Sequence, residues 1–134
     1  MLRGISTVVY QTTDLDAAKR WYAALLGIEP YFDREAYAEF RFGDYQSELG
    51  LLDTSFLHEL RDPGEAPAGP SGVIAYWHVD DLETTLAYLL ENGATQLDAP
   101  RDFGEGFIGA SVVDPFGNIL GIMHNPHYLE VLAG

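Results

Sequence analysis

The chain has 134 residues, 47% hydrophobic and 21% charged. That balance fits one soluble globular domain, or two small halves packed as one, and excludes wholesale disorder, collagen-like repeats and coiled coil. There is no cysteine, so disulfides, thiol catalysis and cysteine-zinc sites are excluded. Seven basic residues against 21 acidic ones leave a formal charge of −14. Such a chain repels nucleic-acid phosphates and anionic membrane surfaces, while a neutral or cationic small ligand suits it. No apolar stretch approaches the roughly 18 residues of a membrane span. Met1 to Tyr10 holds one Arg and no small-residue cleavage site, which argues against a signal peptide. The expected compartment is the cytoplasm.

In chain order, Thr7 to Gln11 is a β-branched and aromatic run that predicts a strand. Asp14 is placed to cap a helix, and Leu15, Ala18, Tyr22, Leu25 and Leu26 recur at helical spacing on one stripe. Gly27 suits a left-handed end to that helix. A short strand is expected around Pro30 to Phe32. Two more, from Glu39 and from Glu48, flank the Gly43-Asp44 turn. Further on, Val73 to Val79 predicts a strand, and Asp80-Asp81 can cap a helix with the stripe Leu82, Leu86, Leu89 and Leu90, ended by Gly93. Phe107 to Val113 and Ile119 to Met123 predict strands joined by the turn Asp114-Pro-Phe-Gly-Asn118.

The second half repeats the first. Asp14 maps to Asp81, Gly27 to Gly93, Phe42-Gly43-Asp44 to Phe116-Gly117-Asn118, and Leu49-Gly50-Leu51 to Leu120-Gly121-Ile122. The expected architecture is α+β: two βαβββ modules, residues 1–60 and 73–124, within one domain spanning 1–134. A Pro- and Gly-rich linker, 61–72, joins them and a tail, 125–134, follows.

Gly4-Ile5-Ser-Thr-Val8, Asp14-Leu-Asp-Ala-Ala, Trp21-Tyr22, Leu26-Gly27, Val79-Asp-Asp-Leu82 and Asp114-Pro-Phe-Gly-Asn118 together resemble the vicinal oxygen chelate superfamily. That superfamily includes glyoxalase I, extradiol dioxygenases and bleomycin-resistance proteins. The resemblance covers about residues 4 to 124. It implies a glyoxalase-like fold in which each module curls its mixed sheet into a cup and the paired cups enclose a ligand. It also implies a divalent metal held by side chains of the first and last strands of each module. Those positions fall here on Thr7, Gly50, Ile74 and Gly121. Gly and Ile carry no donor atom and Thr is a poor one. The expectation is therefore no metal, no other cofactor, and a likeness to the metal-free, drug-sequestering members.

Strand alternation places same-parity neighbours on the same face. The expected ligand-binding residues are Thr7, Val9, Gln11, Glu48, Gly50, Tyr76, His78 and Gly121, with Ile5, Leu52, Ile119 and Met123 beside them. His78 is the candidate acid or base, with Glu48 to orient it or accept a proton. His124 and His127 could join a displaced metal site, but Pro126 is expected to break any helix between them, leaving surface or dimer contacts. His58 has no expected role. Tyr22 is expected in the core, and some of Tyr31, Phe32, Tyr37, Phe40 and Phe42 could stack on a flat or cationic ligand. Phe103 to Gly109 is read as a flexible rim. The tail, with Tyr128, Leu129, Val131 and Leu132, is expected to pack on the other module or on a second subunit of a homodimer.

The favoured function is sequestration of a neutral or cationic, partly aromatic compound without metal. Two alternatives stand beside it. One is a lyase, isomerase or dioxygenase of the same superfamily, with a displaced metal site or acid-base chemistry by His78. The other is an interaction module whose cup is filled by its own side chains.

Overall fold

The computed structural model describes residues 1, 3, 5–55 and 73–134. The chain divides into two compact units, 1–66 and 67–134. The linker expected at 61–72 and His58 lie outside the described residues.

In the first unit, β1 (Thr7–Thr12) leads into α1 (Leu15–Leu26), then β2 (Phe32–Asp33), β3 (Tyr37–Phe42) and β4 (Ser47–Asp53). The sheet order is β1-β4-β3-β2. β1 runs parallel to β4 and the other pairs are antiparallel. The turn from β1 into α1 is built by two short side chains. Thr12 Oγ1 accepts from the Asp14 amide at 3.0 Å. The Asp14 carboxylate accepts from the Ala17 amide at 3.1 Å, satisfying one of the orphan donors of the first helical turn. Gly27, at φ 70°, ends the helix by donating to the Ala23 carbonyl, in a conformation that costs other residues more. The stripe Leu15, Ala18 and Tyr22 is buried, as are Tyr10, Ala38, Phe40, Leu49 and Leu51 of the strands. Each large side chain removed from water in this way contributes about 1.5–3 kcal/mol.

The second unit repeats the plan. β5 (Ala75–His78) is followed by α2 (Leu82–Glu91), β6 (Thr95–Gly104), β7 (Phe107–Val113) and β8 (Ile119–His124), in sheet order β5-β8-β7-β6. β5 is parallel to β8 as β1 is to β4. Asp81 caps α2 by accepting from the Thr84 amide at 3.1 Å. Leu82, Leu86 and Leu89 are buried with Ala110, Val112, Leu120 and Ile122, whereas Leu90 is exposed. Asp114, itself buried, holds the turn before β8 by accepting from the amides of Phe116 at 2.9 Å and Asn118 at 2.8 Å.

Two expectations are corrected. Phe103 to Gly109 is the end of one strand, a Gly104-Glu105-Gly106 turn and the start of the next, rather than a loose rim. β6 lacks any buried residue, so no apolar alternation marks it. Pro126 does not break a helix: it opens α3 (Pro126–Ala133). At the first helical position its missing N–H would have had no partner, and Asn125 caps the turn by accepting from the Tyr128 amide at 3.0 Å. Among the described residues no helix is long and apolar enough to cross a membrane.

The hydrogen bonds from Thr84 hold the Asp81 carboxyl below its ordinary value. Its contribution to stability is therefore complete above the ordinary carboxylate range and disappears as pH falls through and below it. The expected outcome is that Asp81→Ala lowers Tm at pH 7, and that its gap to the unsubstituted protein narrows at an acid pH where the carboxyl is protonated in the folded as well as the unfolded chain. Thermal melts at the two pH values check this.

Candidate functional site

In each unit one helix covers one face of a four-stranded sheet. The buried strand residues sit at Tyr10, Ala38, Phe40, Leu49 and Leu51, so alternation turns their neighbours to the opposite face. The ladder aligns those neighbours in rows: Thr7, Glu48 and Arg41; then Val9, Gly50 and Glu39; then Gln11, Leu52 and Tyr37. The residues expected on the open face of module one are thus on one face together. On module two the corresponding rows pair Tyr76 with Gly121 and Ser111, and His78 with Met123 and Gly109.

Glu39 and Glu48 organise the open face of module one. Glu39 accepts from the Tyr37 hydroxyl at 2.9 Å and, on its other oxygen, from the Tyr31 hydroxyl. Glu48 accepts from Thr7 Oγ1 at 3.0 Å on one oxygen; the other lies 3.4 Å from the Tyr31 hydroxyl and 3.6 Å from Arg41. The Arg41 guanidinium also lies over the Tyr31 ring, 4.3 Å from its centre. Burial, then the Glu39 hydrogen bond, pushes the Tyr37 phenol well up. The same carboxylate raises Tyr31, chiefly through its hydrogen bond. Both phenols are thus held as hydrogen-bond donors to Glu39. Glu39 and Arg41 were not singled out from sequence. Their signal is the polar period-two run Tyr37, Glu39, Arg41 interleaved with buried Ala38 and Phe40.

Each open face also carries a tyrosine set into a glycine gap. A Cβ at Gly50 would lie 2.7 Å from Tyr37 Cε1 and Cζ and closer still to its hydroxyl. A Cβ at Gly121 would lie 2.7 Å from Tyr76 Cδ1 and 2.9 Å from Ile74 Cγ2. The space that a ligating side chain would need at both last-strand positions is thus taken by a phenol ring. Thr7 is engaged with Glu48, and Ile74 has no donor. This residue set does not fit the family's divalent ion. Among the described residues, no three His, Asp or Glu side chains gather where they could hold a metal.

His78 has structural partners. Its Nδ1 accepts from the Asn125 amide at 3.1 Å, which places the ring proton on Nε2, 3.3 Å from Asp80 Oδ1. The ring stacks on Tyr128 of α3, with centres 4.7 Å apart and planes 10° apart, and the His124 ring centre lies 5.5 Å away. His78, the expected acid or base, thus ties β5 to the start of the tail helix. His127 is exposed and lies 3.9 Å from Glu130.

Two of the cavities among the described residues lie within single modules. One, of about 530 Å³, borders α1 between Asp16, Lys19, Glu29 and Asp33. Its Lys19 is committed to Asp33 at 2.9 Å and Asp16 at 3.6 Å, and the Asp33 hydrogen bond raises its pKa. The other, of about 400 Å³, is lined by Tyr76, Asp98, Arg101, Phe103 and Gly109 on module two. Asp98 and Arg101 were missed because β6 was.

Gly50→Ala must displace Tyr37, which is half-buried and tied to Glu39. A loss of about 1–3 kcal/mol is expected, typical of overpacking. Gly121→Ala meets the exposed Tyr76, which can swing away, and should cost less. Urea denaturation of the two variants checks the order. His78→Leu removes the acceptor of the Asn125 amide and should lower stability by about 1–3 kcal/mol. Hydrogen exchange would show faster exchange confined to α3 and its cap.

A family model described as a glyoxalase-like domain matches residues 7–123. None of the curated proteins matches the sequence. Among solved structures, a glyoxalase-related enzyme from Fulvimarina pelagi is similar at 22% identity and a TM-score of 0.74, covering 93% of this chain and 90% of that one. A glyoxalase/bleomycin resistance protein/dioxygenase family enzyme from Burkholderia phytofirmans PsJN is similar at 18% identity and 0.72, covering 88% and 95%. A glyoxalase/bleomycin resistance protein from Albidiferax ferrireducens T118 is similar at 23% and 0.65, covering 91% and 98%. The structural likeness carries the fold, the family match spans both βαβββ modules, and the chain belongs to the glyoxalase-like domain family of the vicinal oxygen chelate superfamily.

Proposed function

We propose that this protein binds a neutral or cationic, partly aromatic small molecule and sequesters it without a metal ion and without making or breaking bonds. The observation that carries the reading is the cluster of Tyr31, Tyr37, Glu39 and Glu48 on the open face of module one. It sets two carboxylates against one guanidinium, Arg41, beside the exposed Tyr31 ring and the half-exposed Val9. Carboxylates and aromatic faces together attract an organic cation, and the fixed phenols keep the carboxylates aimed. Tyr37 and Tyr76 seal the positions where a metal-dependent relative needs ligands, which favours binding over metal chemistry.

The test uses benzyltrimethylammonium and a panel of aromatic cations in calorimetric titrations. Binding is expected to persist in a chelator and to weaken with salt. Glu39→Gln and Glu48→Gln should each weaken it on the order of tenfold, equivalent to about 1.4 kcal/mol, and mass spectrometry should recover the compound unchanged. Unaltered affinity in both variants, or turnover that depends on added metal, would refute the proposal.

A further inference from the structure

β6 is the outer strand of module two, and it is irregular. Its register on β7 shifts between Gln96 and Asp98, between Asp98 and Arg101, and between Asp102 and Gly104. The middle shift matters most. Asp98 pairs with Ser111 and Arg101 with Gly109, so three steps on β6 answer two on β7. In a regular strand, residues three apart point to opposite faces. The inserted residue, at Ala99-Pro100, undoes that, and Asp98 and Arg101 line the same cavity of about 400 Å³. Pro100 is tolerated here because the strand lies at the sheet edge.

The cavity is furnished for a charged aromatic molecule. Gly109 leaves room for the Phe103 ring: a Cβ there would lie 3.2 Å from Phe103 Cε2. Tyr76 and Phe103 are exposed apolar walls. Ser111, fully buried, donates to Asp98 Oδ2 at 2.6 Å and fixes that carboxylate. The Arg101 guanidinium carbon lies 5.5 Å from the centre of the Phe103 ring, and Arg101 has no ion pair among the described residues. It does not pair with Asp98, although both line one cavity. Its planar fork suits a carboxylate or a phosphate, gripped through two parallel hydrogen bonds.

We propose that the bulged β6 strand builds a second binding site on module two, in which Arg101 grips the carboxylate or phosphate of a small aromatic ligand whose ring lies between Tyr76 and Phe103. Asp98 accepts from a hydroxyl or amino group on the same ligand. The site rests on module two alone and goes beyond the cation-binding reading of module one.

Benzoate and phenyl phosphate are the probes, with benzamide and benzylammonium as the neutral and cationic controls. Binding is followed on the full chain by amide shifts in two-dimensional NMR. Benzoate, phenyl phosphate or both should shift the amides of Tyr76, Arg101 and Gly109. The one bound more tightly identifies the anion. Arg101→Gln should weaken binding at least tenfold and Arg101→Lys should recover part of it. Both variants should fold, since Arg101 is exposed and has no ion pair among the described residues to lose. Glu39→Gln should leave benzoate binding unchanged, which separates this site from the one on module one. The proposal is overturned if neither anion shifts those amides, if Arg101→Gln binds them equally, or if benzylammonium or benzamide binds as well as benzoate.

Discussion

A four-stranded sheet covered by one helix has a dry face and a face left over. That constraint governs both modules. α1 and α2 each supply three buried residues, and the facing strand positions must be apolar at every second residue. Once Phe40, Leu49 and Leu51 are committed to the helix side, a one-residue slip would put Glu39, Glu48 and Tyr37 into the core. The burial energy of a few leucines and aromatics thereby fixes the direction of carboxylates that contribute nothing to the core. The parallel pairing of the first and last strands places β1 beside β4 and β5 beside β8, so residues far apart in sequence share a row.

The two open faces use that geometry in the same way and then part company. In both, a glycine on the last strand admits a tyrosine ring from a neighbouring strand. Tyr37 reaches Gly50 from β3, and Tyr76 reaches Gly121 from β5. The ring comes from the antiparallel neighbour in one module and from the parallel neighbour in the other, so the similar outcome has two constructions. A glycine that could mark a bulge or merely empty space instead marks a close approach. The consequence is chemical as well as steric. A phenol lying over the glycine offers hydrogen bonding and an aromatic surface where a metal ligand would offer a lone pair.

Much of the fold was legible because its signals are local and redundant. Asp14 and Asp81 as caps, the leucine stripes and the Asp114 turn each have one cheap conformation, and their recurrence in order exposed the repeat. The parity of the open faces followed from period two once the family resemblance had set Thr7, Gly50 and Gly121 on them. What escaped was β6, a strand without a buried residue and with three register shifts, because sequence periodicity reports burial rather than hydrogen bonding. The tail helix escaped because Pro126 reads as a breaker unless the position before it is recognised as a cap. His78 shows a different limit. Its residue type and parity suited a cavity wall, but its partners are a backbone amide 47 positions away and the ring of Tyr128, which only the fold brings near.

The acidic charge of the chain bears on what each module can hold. At −14 the chain repels anions at long range, so an anion can be held only where a local cation outweighs the background within about a Debye length, roughly 10 Å. On module one, Arg41 lies 3.6 Å from Glu48 and Lys19 lies 2.9 Å from Asp33, so these two cations are spent on neighbouring carboxylates. Module two carries Arg101 on a strand whose bulge brings it into a cavity but not onto Asp98. A regular strand would have turned one of the two away and left a cavity of single sign. The same irregularity that hid β6 from sequence periodicity is therefore what gives module two a cavity with both signs of charge, next to two exposed aromatic rings.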